Sequence, residues 1–474
     1  MTWNLEAERC HFCAKRSIRW FASAGILKGH SPGTGSKTSH CLRARDLRQH
    51  DSIKLIDTMA EKKKVLIIGG GVIGCAAAYY LARKGISATV IDKGAIGHGC
   101  SYGNAGWLVP AHSMPLPAPG ALRQAAKWML RRGSPLYIQP RPSIDMVSWL
   151  VRFLCNANET RYRSGARPLV GLAKRSLELI DSFVAGLSNG ALDFRKNGLM
   201  YVCKTSAGLE HSLYELEIAR DLGCDGEELS SEALLARNPI LREPVKGGVY
   251  FAGQGQIEPL RFVEALAAEA KALGAEFLPQ TEVFEIESKG SRIGAVLTTR
   301  GRIEADEFVL AAGSWTRAIA KTIRLRAPIE AGKGYALIYD DPVHMPDVPL
   351  LLVERKVAVT PRDGSIRCAG TMELAGMNEQ ITPMRVRAIS RAMADYLHVS
   401  PTAEPSEVWR GLRPCTPDGL PMIGRPRKFD NLVLAAGHAM LGLTSSTGTG
   451  ELVAELISGE KPLLDPRPFC PDRF

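Results

Sequence analysis

The sequence predicts an α/β protein in which a Rossmann-like dinucleotide-binding domain is interleaved with an α+β substrate domain built on an antiparallel sheet. Two observations predict this fold. A strand, a glycine-rich turn, a helix and a second strand follow one another near residue 62, and similar signals return late in the 474-residue chain. Between those signals lie helical patterns and then alternating runs such as "YALIYD" and "SIRCAGTME", which are typical of antiparallel strands.

The first unit spans residues 62–94. "KVLIIGG" is a short apolar run rich in β-branched residues, as a buried parallel strand requires. "GVIGCAAAYYLARKG" predicts a helix that ends at Gly85. "SATVIDKG" predicts a second buried strand, so the three segments form one βαβ unit.

Later segments return to the nucleotide-binding domain. "EADEFVLAAGSWT" predicts a strand that ends in a tight turn, and "DNLVLAAGHAMLGLTSSTGTGELVAELISG" predicts a strand, a glycine-rich loop and a helix. We therefore expect two interleaved domains rather than two in series. Residues 62–115, 245–325 and 429–462 are assigned to the nucleotide-binding domain, and residues 116–244 and 326–428 to the substrate domain.

Residues 1–58 form a basic N-terminal extension without hydrophobic periodicity. Three interpretations stay open, namely a disordered tail, a transit peptide, and upstream sequence read from a start codon chosen too early. We favour the third, because "MAEKKKVLIIGGG" from Met59 is a natural lead into the first strand.

Composition excludes several classes of protein. The net charge of +11 is spread along the chain without a long basic tract, so nothing indicates a nucleic-acid partner. No apolar run reaches the ~20 residues of a membrane-spanning helix. Of the 11 cysteines only Cys10 and Cys13 form a CxxC pair, so no metal site is expected. Scattered thiols fit a reducing compartment, and we expect a cytoplasmic protein.

The first glycine turn carries the pattern of a dinucleotide site. Gly69, Gly71 and Gly74 make GxGxxG between a strand and a helix, with Val72 and Ile73 inside the motif. There the helix N-terminal amides can face a pyrophosphate. Asp92 ends the next strand, about 20 residues further on, where a carboxylate would accept from ribose hydroxyls. This acid argues against NADP but leaves NAD and FAD open.

Two further glycine-rich segments bear on that choice. "GHGCSYGNAGWLVP", residues 97–110, has too many small residues for a strand or a helix and predicts a loop laid against a ligand. "LAAGHAMLGLTSSTGTGELVAEL" predicts a second glycine loop feeding a helix, whose amides could stabilise negative charge on a reduced flavin. NAD folds do not usually need this second loop.

At these residues the sequence resembles a known family. "SYGNAGWLVP", "PGALRQAAKWMLRRGSPLYI", "WRGLRPCTPDGLPMIG" and "GHAMLGLT" resemble the D-amino acid oxidase superfamily of FAD-dependent oxidoreductases, and most closely its bacterial D-amino acid dehydrogenase branch. The resemblance covers roughly residues 63 to 460. It implies FAD as the cofactor. No His or Cys falls where a covalent flavin bond can be argued, so we expect FAD to be bound without one. The resemblance also favours Met59 as the start, since such chains begin just before the first strand.

The resemblance implies roles for individual residues. Arg413 in "GLRP" matches the arginine that binds the substrate carboxylate. Two departures put the rest of that site in doubt, because Met440 and Ala358 stand where some relatives have an arginine and a tyrosine. Tyr335 is a candidate replacement donor, with a core tyrosine as the alternative. His438 is expected beside the flavin, either in the chemistry or as a packing residue.

The expected flavin contacts share backbone or small-side-chain character. They are Gly69, Gly71, Val72, Ile73, Gly74, Asp92, Ser101, Asn104, Ala105, Gly106, Val283, Ala312, Gly313, Trp315, Gly437, Leu441, Gly442, Leu443 and Thr444.

The implied activity is oxidation of a D-amino acid, or of a cyclic imino acid such as D-proline or hydroxy-D-proline, to the imino acid. Electrons would pass to a respiratory acceptor, a quinone or an electron-transfer partner. Alternatives are an oxidase that makes peroxide from oxygen and a non-catalytic flavoprotein subunit of an electron-transfer complex. Residues 121–138 combine basic and apolar side chains, which predicts either peripheral contact with the inner face of the cytoplasmic membrane or a lid over the site.

Overall fold

The computed structural model describes residues 63–120, 134–187, 192–399 and 404–474, apart from the single positions 140, 142, 341 and 343. The N-terminal extension lies outside these ranges, and so do the expectations about it.

A mainly parallel sheet forms the nucleotide-binding domain. Its strands are β1 (Lys64–Ile68), β2 (Ser87–Ile91), β9 (Glu276–Leu278), β13 (Glu307–Leu310), β19 (Met422–Gly424) and β20 (Leu432–Ala436). Their order is β19-β20-β13-β1-β2-β9, and only β19 runs antiparallel to its neighbour. The strands are nearly continuous aliphatic runs because both faces are covered, one by helices and the other by a small three-stranded sheet with a short helix.

Three helices pack on one face of this sheet. They are α1 (Val72–Arg83), α6 (Pro259–Ala272) and α9 (Ser446–Ser458). Helices α1 and α9 approach closely, since a Cβ added at Gly450 would lie 2.6 Å from the Ala76 carbonyl carbon. Small residues along "GCAAA" in α1 permit this approach and bring two helix N-termini to the carboxyl edge of the sheet.

A second, largely antiparallel sheet forms the substrate domain. It contains β4 (Leu136–Ile138), β5 (Leu199–Cys203), β6 (Glu227–Leu229), β7 (Gly247–Phe251), β14 (Glu330–Asp340), β15 (Leu350–Leu352), β16 (Val357–Arg362), β17 (Ser365–Leu374) and β18 (Glu407–Cys415). The order is β18-β14-β17-β16-β15-β5-β7-β6, with β4 paired to β17.

Further helices pack around the two sheets. They are α2 (Ile144–Asn156), α3 (Glu159–Ala185), α4 (Ser206–Asp221), α5 (Ser231–Arg237), α7 (Thr316–Thr322) and α8 (Pro383–Tyr396). Helix α8 covers one sheet face, where Ile389 and Met393 pack with Leu337 and Val359. The other face looks toward the nucleotide-binding domain.

The interleaving is as predicted, but two of the expected boundaries differ. Strand β7 pairs with β5, although residues 245–325 were assigned to the nucleotide-binding domain. Strand β19 pairs with β20, although residues 326–428 were assigned to the substrate domain. Both are short strands next to a chain crossing, where sequence patterns do not show which sheet receives a strand. Two smaller sheets complete the fold: β10 (Val283–Lys289), β11 (Arg292–Thr298) and β12 (Gly301–Glu304), and β3 (Trp107–Leu108) with β8 (Gly255–Gln256).

Candidate active site

The first glycine turn has the geometry that its sequence predicts. Gly69 has φ +114°, and an added Cβ there would lie 2.4 Å from the Ala311 carbonyl oxygen. At Gly74 an added Cβ would lie 1.8 Å from the Gly69 oxygen, so helix α1 sits directly on the turn. Gly71 caps α1 and has only the Ser101 hydroxyl near its missing side chain, at 3.4 Å. This leaves a side-chain-free edge beside the amides of α1.

Asp92 and Ser101 organise this edge. The Asp92 carboxylate accepts from the amides of Gly70 at 2.7 Å and Gly94 at 2.8 Å, which holds it at the end of β2. Ser101 Oγ accepts from the Val72 amide at 3.0 Å. Asp92 therefore stands where a ribose would lie, and its bond to the ribose stays a prediction.

The glycine-rich loop (residues 97–110) is fastened to both domains. Asn104 Oδ1 accepts from the Gly106 amide at 2.9 Å, and Asn104 Nδ2 donates to the Met440 oxygen at 3.4 Å. Arg367, a buried residue of β17, donates to the Asn104 oxygen at 3.0 Å. Thr360 donates to the Ala105 oxygen at 2.8 Å. The loop thus bridges the two sheets.

The C-terminal clamp (residues 437–444) brings a second set of free amides to the same region. Within the described residues, the backbone amides of Gly442, Leu443 and Thr444 have no hydrogen-bond acceptor. Thr444 Oγ1 donates to the Trp107 oxygen at 2.8 Å, which ties the clamp to the glycine-rich loop. Free amides ahead of a helix are suited to a developing negative charge.

Arg413 lies between these loops and the antiparallel sheet. Its guanidinium covers Gly334, where an added Cβ would come within 2.1 Å of Nη1. Nη1 donates to the Thr371 oxygen at 2.6 Å, and no acidic side chain among the described residues pairs with the cation. Burial lowers the pKa of Arg413, while the Cys100 and Cys415 thiols beside it act in the opposite direction. A desolvated cation without a counter-ion is a site for an anion.

A β-bulge positions Arg413. The register of β14 against β17 shifts between Lys333 and Tyr335, and Thr371 adopts φ +60° in this bulge. A β-branched residue rarely takes that conformation, and strain of this kind is concentrated at functional sites. The Thr371 hydroxyl is buried without a partner among the described residues, whereas its carbonyl is turned toward Arg413.

The sheet face around Arg413 is made of small residues. The strand registers place them on one face, which we call the small-residue floor: Gly332, Gly334 and Ala336 of β14, Ala358 of β16, Ala369 of β17 and Gly411 of β18. The two large side chains on this face lie over its glycines, since Arg413 covers Gly334 and Trp409 covers Gly411. The floor therefore lets the guanidinium and the indole lie flat against the sheet, beside Ala336, Ala358 and Ala369.

Trp409 is a residue of this site that sequence reasoning missed. Its indole lies between Gly411 and Gly103, because an added Cβ at either glycine would come within 2.0 Å of the ring. Period-two spacing of Trp409, Gly411 and Arg413 on one strand was the signal that could have revealed it. Trp409 joins the floor to the glycine-rich loop.

Tyr335 does not belong to this site, which corrects the suggestion that it replaces a missing carboxylate donor. It follows Gly334 on β14 and so points to the opposite face, where it is only 1% exposed. Its hydroxyl donates to Glu373 Oε2 at 3.1 Å and accepts from the Thr382 amide at 3.1 Å. Tyr335 is a core residue under α8, as the alternative interpretation held.

His438 lies beside the site, and its ring is hydrogen-bonded to helix α9. Nε2 is 3.0 Å from Thr449 Oγ1 of α9, and burial lowers the pKa of His438 to about 3. The backbone next to it is bonded to β18, since the Ala439 amide donates to the Pro414 oxygen at 2.9 Å. His438 therefore anchors the clamp between α9 and Arg413.

The remaining expected contacts lie around the carboxyl edge of the parallel sheet. Ala312 and Gly313 follow β13 in a turn against Gly69, and Lys93 lies 3.9 Å above the Trp315 ring. Val283 opens β10, close to the Thr281 amide that donates to the Asp92 oxygen at 2.7 Å. Leu441 packs in the core that contains α1 and α9. Contact of these residues with the cofactor stays a prediction.

Three expectations concern residues or groups beyond this geometry. Residues 121–133 of the basic and apolar segment lie outside the described ranges. Within those ranges, no group of three or more His, Cys, Asp or Glu side chains could hold a metal ion. The described helices also include none that is long and apolar enough to cross a membrane.

The fold and the site define a two-domain flavoprotein. The glycine edge at α1, the carboxylate at the end of β2 and the free amides of the clamp fit the phosphates, ribose and flavin of FAD. The chain belongs to the FAD dependent oxidoreductase family, whose model matches residues 64–456. FAD is its cofactor.

Two D-amino acid dehydrogenases are similar to most of this chain. A D-amino acid dehydrogenase of Bradyrhizobium diazoefficiens is 32% identical over 417 residues, covering 87% of this chain and 99% of the relative. A D-amino acid dehydrogenase of Methylobacterium nodulans is 34% identical over 407 residues, covering 84% and 96%.

Among solved structures, glycine oxidase from Geobacillus kaustophilus has a TM-score of 0.69 and 24% identity, covering 87% of this chain and 99% of that one. L-proline dehydrogenase from P. horikoshii has a TM-score of 0.66 and 23% identity, covering 87% and 98%. These two structures show the shared fold.

Proposed function

We propose that the protein oxidises a D-amino acid, or a cyclic imino acid such as D-proline or hydroxy-D-proline, to the imino acid and passes the electrons to a respiratory acceptor. The observation that carries the proposal is the uncompensated Arg413 guanidinium above the small-residue floor. The names of the relatives supply the D-amino acid class.

The side chains around the floor would bind the substrate. Arg413 would bind the carboxylate through two parallel hydrogen bonds from its guanidinium. The Thr371 carbonyl orients that guanidinium by accepting a hydrogen bond from Nη1. Trp409 and the glycine-rich loop would exclude water from the bound carboxylate and strengthen the pairing. When bound, FAD supplies the two-electron acceptor.

The two departures from the family pattern limit how the carboxylate is held. Ala358 lies in the floor, and its side chain has no hydrogen-bond donor. Met440 is 40% exposed, and only its backbone oxygen contacts Asn104. Tyr335 is on the wrong face. Arg413 is therefore expected to carry the carboxylate contact alone, and its loss should be correspondingly costly.

The test measures kcat/KM for amino acids and their amides in wild type, Arg413→Lys and Arg413→Ala. A charge-assisted hydrogen bond is worth about 1.5–3 kcal/mol, so the alanine variant should lose on the order of 10- to 100-fold for the acid, with lysine in between. Amides lack the anionic carboxylate and should lose far less.

A second arm uses the glycine beneath the guanidinium. Gly334→Ala places a methyl group where Nη1 lies, so it should raise KM for acids while Arg413 is still present. Gly294→Ala is the matched control, because nothing lies within 4 Å of its missing Cβ. Equal losses for acid and amide would mean that Arg413 supports the fold, and no loss would place the carboxylate elsewhere.

The electron acceptor needs its own measurement. Anaerobic bleaching of the flavin by D-amino acids and imino acids, followed by reoxidation with a quinone or with oxygen, distinguishes a dehydrogenase from an oxidase. Rapid peroxide formation would favour the oxidase, and no bleaching by any amino or imino acid would overturn the enzymatic proposal.

Peripheral membrane contact near residues 121–138 is part of the proposal. Helix α2, which follows that segment, exposes four aliphatic side chains at helical spacing: Ile144 (89%), Val147 (57%), Val151 (55%) and Leu154 (41%). Such a stripe can lie in a membrane interface. Val147→Glu with Val151→Glu should release protein from anionic vesicles without loss of flavin, and unchanged sedimentation would contradict this contact.

A further inference from the structure

A second buried arginine, Arg367 of β17, holds the glycine-rich loop from the side of the antiparallel sheet. It lies two residues before Ala369 of the small-residue floor, so its side chain leaves the same face of the strand. The residue is only 3% exposed. Its Nη1 donates to the Asn104 oxygen and its Nη2 to Glu258 Oε1, each at 3.0 Å. One guanidinium therefore ties the substrate sheet to the loop and to the residue that precedes helix α6.

The Glu258 carboxylate is shared with another arginine of the same sheet. Its Oε2 accepts from Nε of Arg362, the last residue of β16, at 2.9 Å. Within the described residues, only Arg367 of the two arginines reaches the glycine-rich loop. Arg367 also leaves its buried Nε without a partner in the described part of the chain, so desolvation offsets much of the attraction to Glu258. The ion pair therefore adds little net stability, and its effect is to fix the guanidinium against the loop.

The peptide group between Asn104 and Ala105 carries a free donor. This peptide is trans, so its carbonyl and its N–H point in opposite directions. Because the Asn104 oxygen faces Arg367 on the sheet, the Ala105 N–H is directed away from the sheet. It meets no acceptor among the described residues. The next peptide group is bonded at both ends, since the Ala105 oxygen accepts from Thr360 and the Gly106 amide donates to the Asn104 side chain.

The free amide of Ala105 lies next to the C-terminal clamp. Asn104 Nδ2 donates to the Met440 oxygen at 3.4 Å, and the Trp107 oxygen accepts from Thr444 Oγ1 at 2.8 Å. Contacts to the clamp thus flank Ala105 on both sides in the sequence, and the clamp has free amides of its own. Free donors on two segments that contact each other are suited to one electron-rich group of a bound ligand.

We propose that Arg367 is a positioning residue for the cofactor, which holds the Asn104 carbonyl so that the Ala105 amide donates to the flavin and raises its reduction potential. A charged donor on the carbonyl draws electron density from the peptide group and strengthens the N–H on its other side. A fixed donor stabilises the reduced flavin, which carries more negative charge, more than the oxidised flavin. The inference goes beyond the proposed function, because it concerns the flavin in the absence of any amino acid.

The experiment measures the flavin of the holoenzyme in wild type, Arg367→Met and Arg367→Lys. Arg367→Met removes both hydrogen bonds, so the two-electron equilibrium with a redox dye should shift about tenfold toward oxidised flavin, which lowers the potential by about 30 mV. The Kd of sulfite, an anion that adds to oxidised flavin, should rise by a similar factor, on the order of tenfold. Arg367→Lys keeps the charge without the planar guanidinium and should give values between those of wild type and Arg367→Met.

Arg362→Met is the matched control. It removes a cation from the same carboxylate but leaves the contact between Arg367 and Asn104 intact. Its potential and its sulfite Kd should equal those of wild type. Thermal unfolding of both methionine variants measures the cost to the fold, because a purely structural role of Arg367 would lower Tm without moving the potential.

Two outcomes overturn the inference. A wild-type potential and sulfite Kd in Arg367→Met would show that the loop contact does not act on the flavin. Equal shifts in Arg362→Met and Arg367→Met would assign the effect to the charge of the cluster rather than to the Asn104 peptide. If Arg367→Met does not retain FAD, a wild-type potential in Arg367→Lys refutes the inference equally. No measurement uses an amino acid, so the result is separate from the outcome for the proposed function.

Discussion

Two regions of the antiparallel sheet, the α8 face around Glu373 and the floor around Arg413, hold their cations in different ways. On the α8 face, Lys333 and Arg385 both pair with Glu373, at 2.9 Å and 3.1 Å, and all three side chains are at most 4% exposed. On the floor face, Arg413 meets only a backbone carbonyl. The difference distinguishes a cation with a structural role from one that binds a ligand. The structural cation is paired with a carboxylate of the protein, whereas the ligand-binding cation has no acidic partner until the ligand is bound.

The largest effect on stability is expected when the counter-ion on the α8 face is removed. Glu373→Gln leaves Lys333 and Arg385 buried without a carboxylate and should lower the free energy of unfolding by about 3–5 kcal/mol. Urea unfolding measures this loss. Glu379→Gln, which breaks a half-exposed pair with Arg410, is the control and should cost less than about 1 kcal/mol. Equal losses in the two variants would undo the comparison.

A smaller effect should come from supplying the counter-ion on the floor face. A carboxylic acid that cannot be oxidised, added at 100 times its Kd, should stabilise the protein by about 2.7 kcal/mol. The rise in Tm should persist in Glu373→Gln and vanish in Arg413→Met. Stabilisation that survives in Arg413→Met would show that the carboxylate binds elsewhere.

Tyr335→Phe tests whether the two faces of strand β14 have separate roles. It removes a hydrogen bond to the Glu373 carboxylate and should cost about 1.5 kcal/mol of stability. Because Tyr335 faces α8, kcat/KM for acids should not change. A drop in kcat/KM at unchanged stability would restore Tyr335 to the substrate site.

The smallest effect is expected for Arg413→Met without ligand. Burial lowers the pKa of Arg413, which reflects the cost of keeping this cation away from water. Its replacement by an apolar chain should therefore change stability by no more than about 1 kcal/mol, toward a more stable protein. Thermal unfolding of the apoprotein checks the sign, and a clear loss of stability would mean that Arg413 is structural.

The sequence was sufficient for the parts of the fold that repeat a local signal. The βαβ unit and the interleaved order follow from runs and glycine spacings that span a few residues, whereas Arg413 is suggested only by the resemblance of its motif to a known family. The assignment of Tyr335 failed for a physical reason. Both faces of β14 are buried, so no polar alternation shows which face each residue takes.

Other site residues depend on tertiary contacts that leave no local mark. The bulge at Thr371 arises from the register between two strands, and the place of Trp409 depends on Gly103, about 300 residues earlier in the chain. Such features become visible only when the strands are paired.

The position of β1 at the centre of the parallel sheet has a consequence for synthesis of the chain. Val65 of β1 pairs with Glu307 of β13, and β20 follows only at Leu432. At translation rates of ~5–20 residues per second, β1 waits roughly 12–50 s for β13 to emerge. During that interval its aliphatic edge can pair with β2 on one side only and is open to other chains on the other. We expect nascent chains to depend on holding factors, and truncations before α9 to aggregate rather than fold.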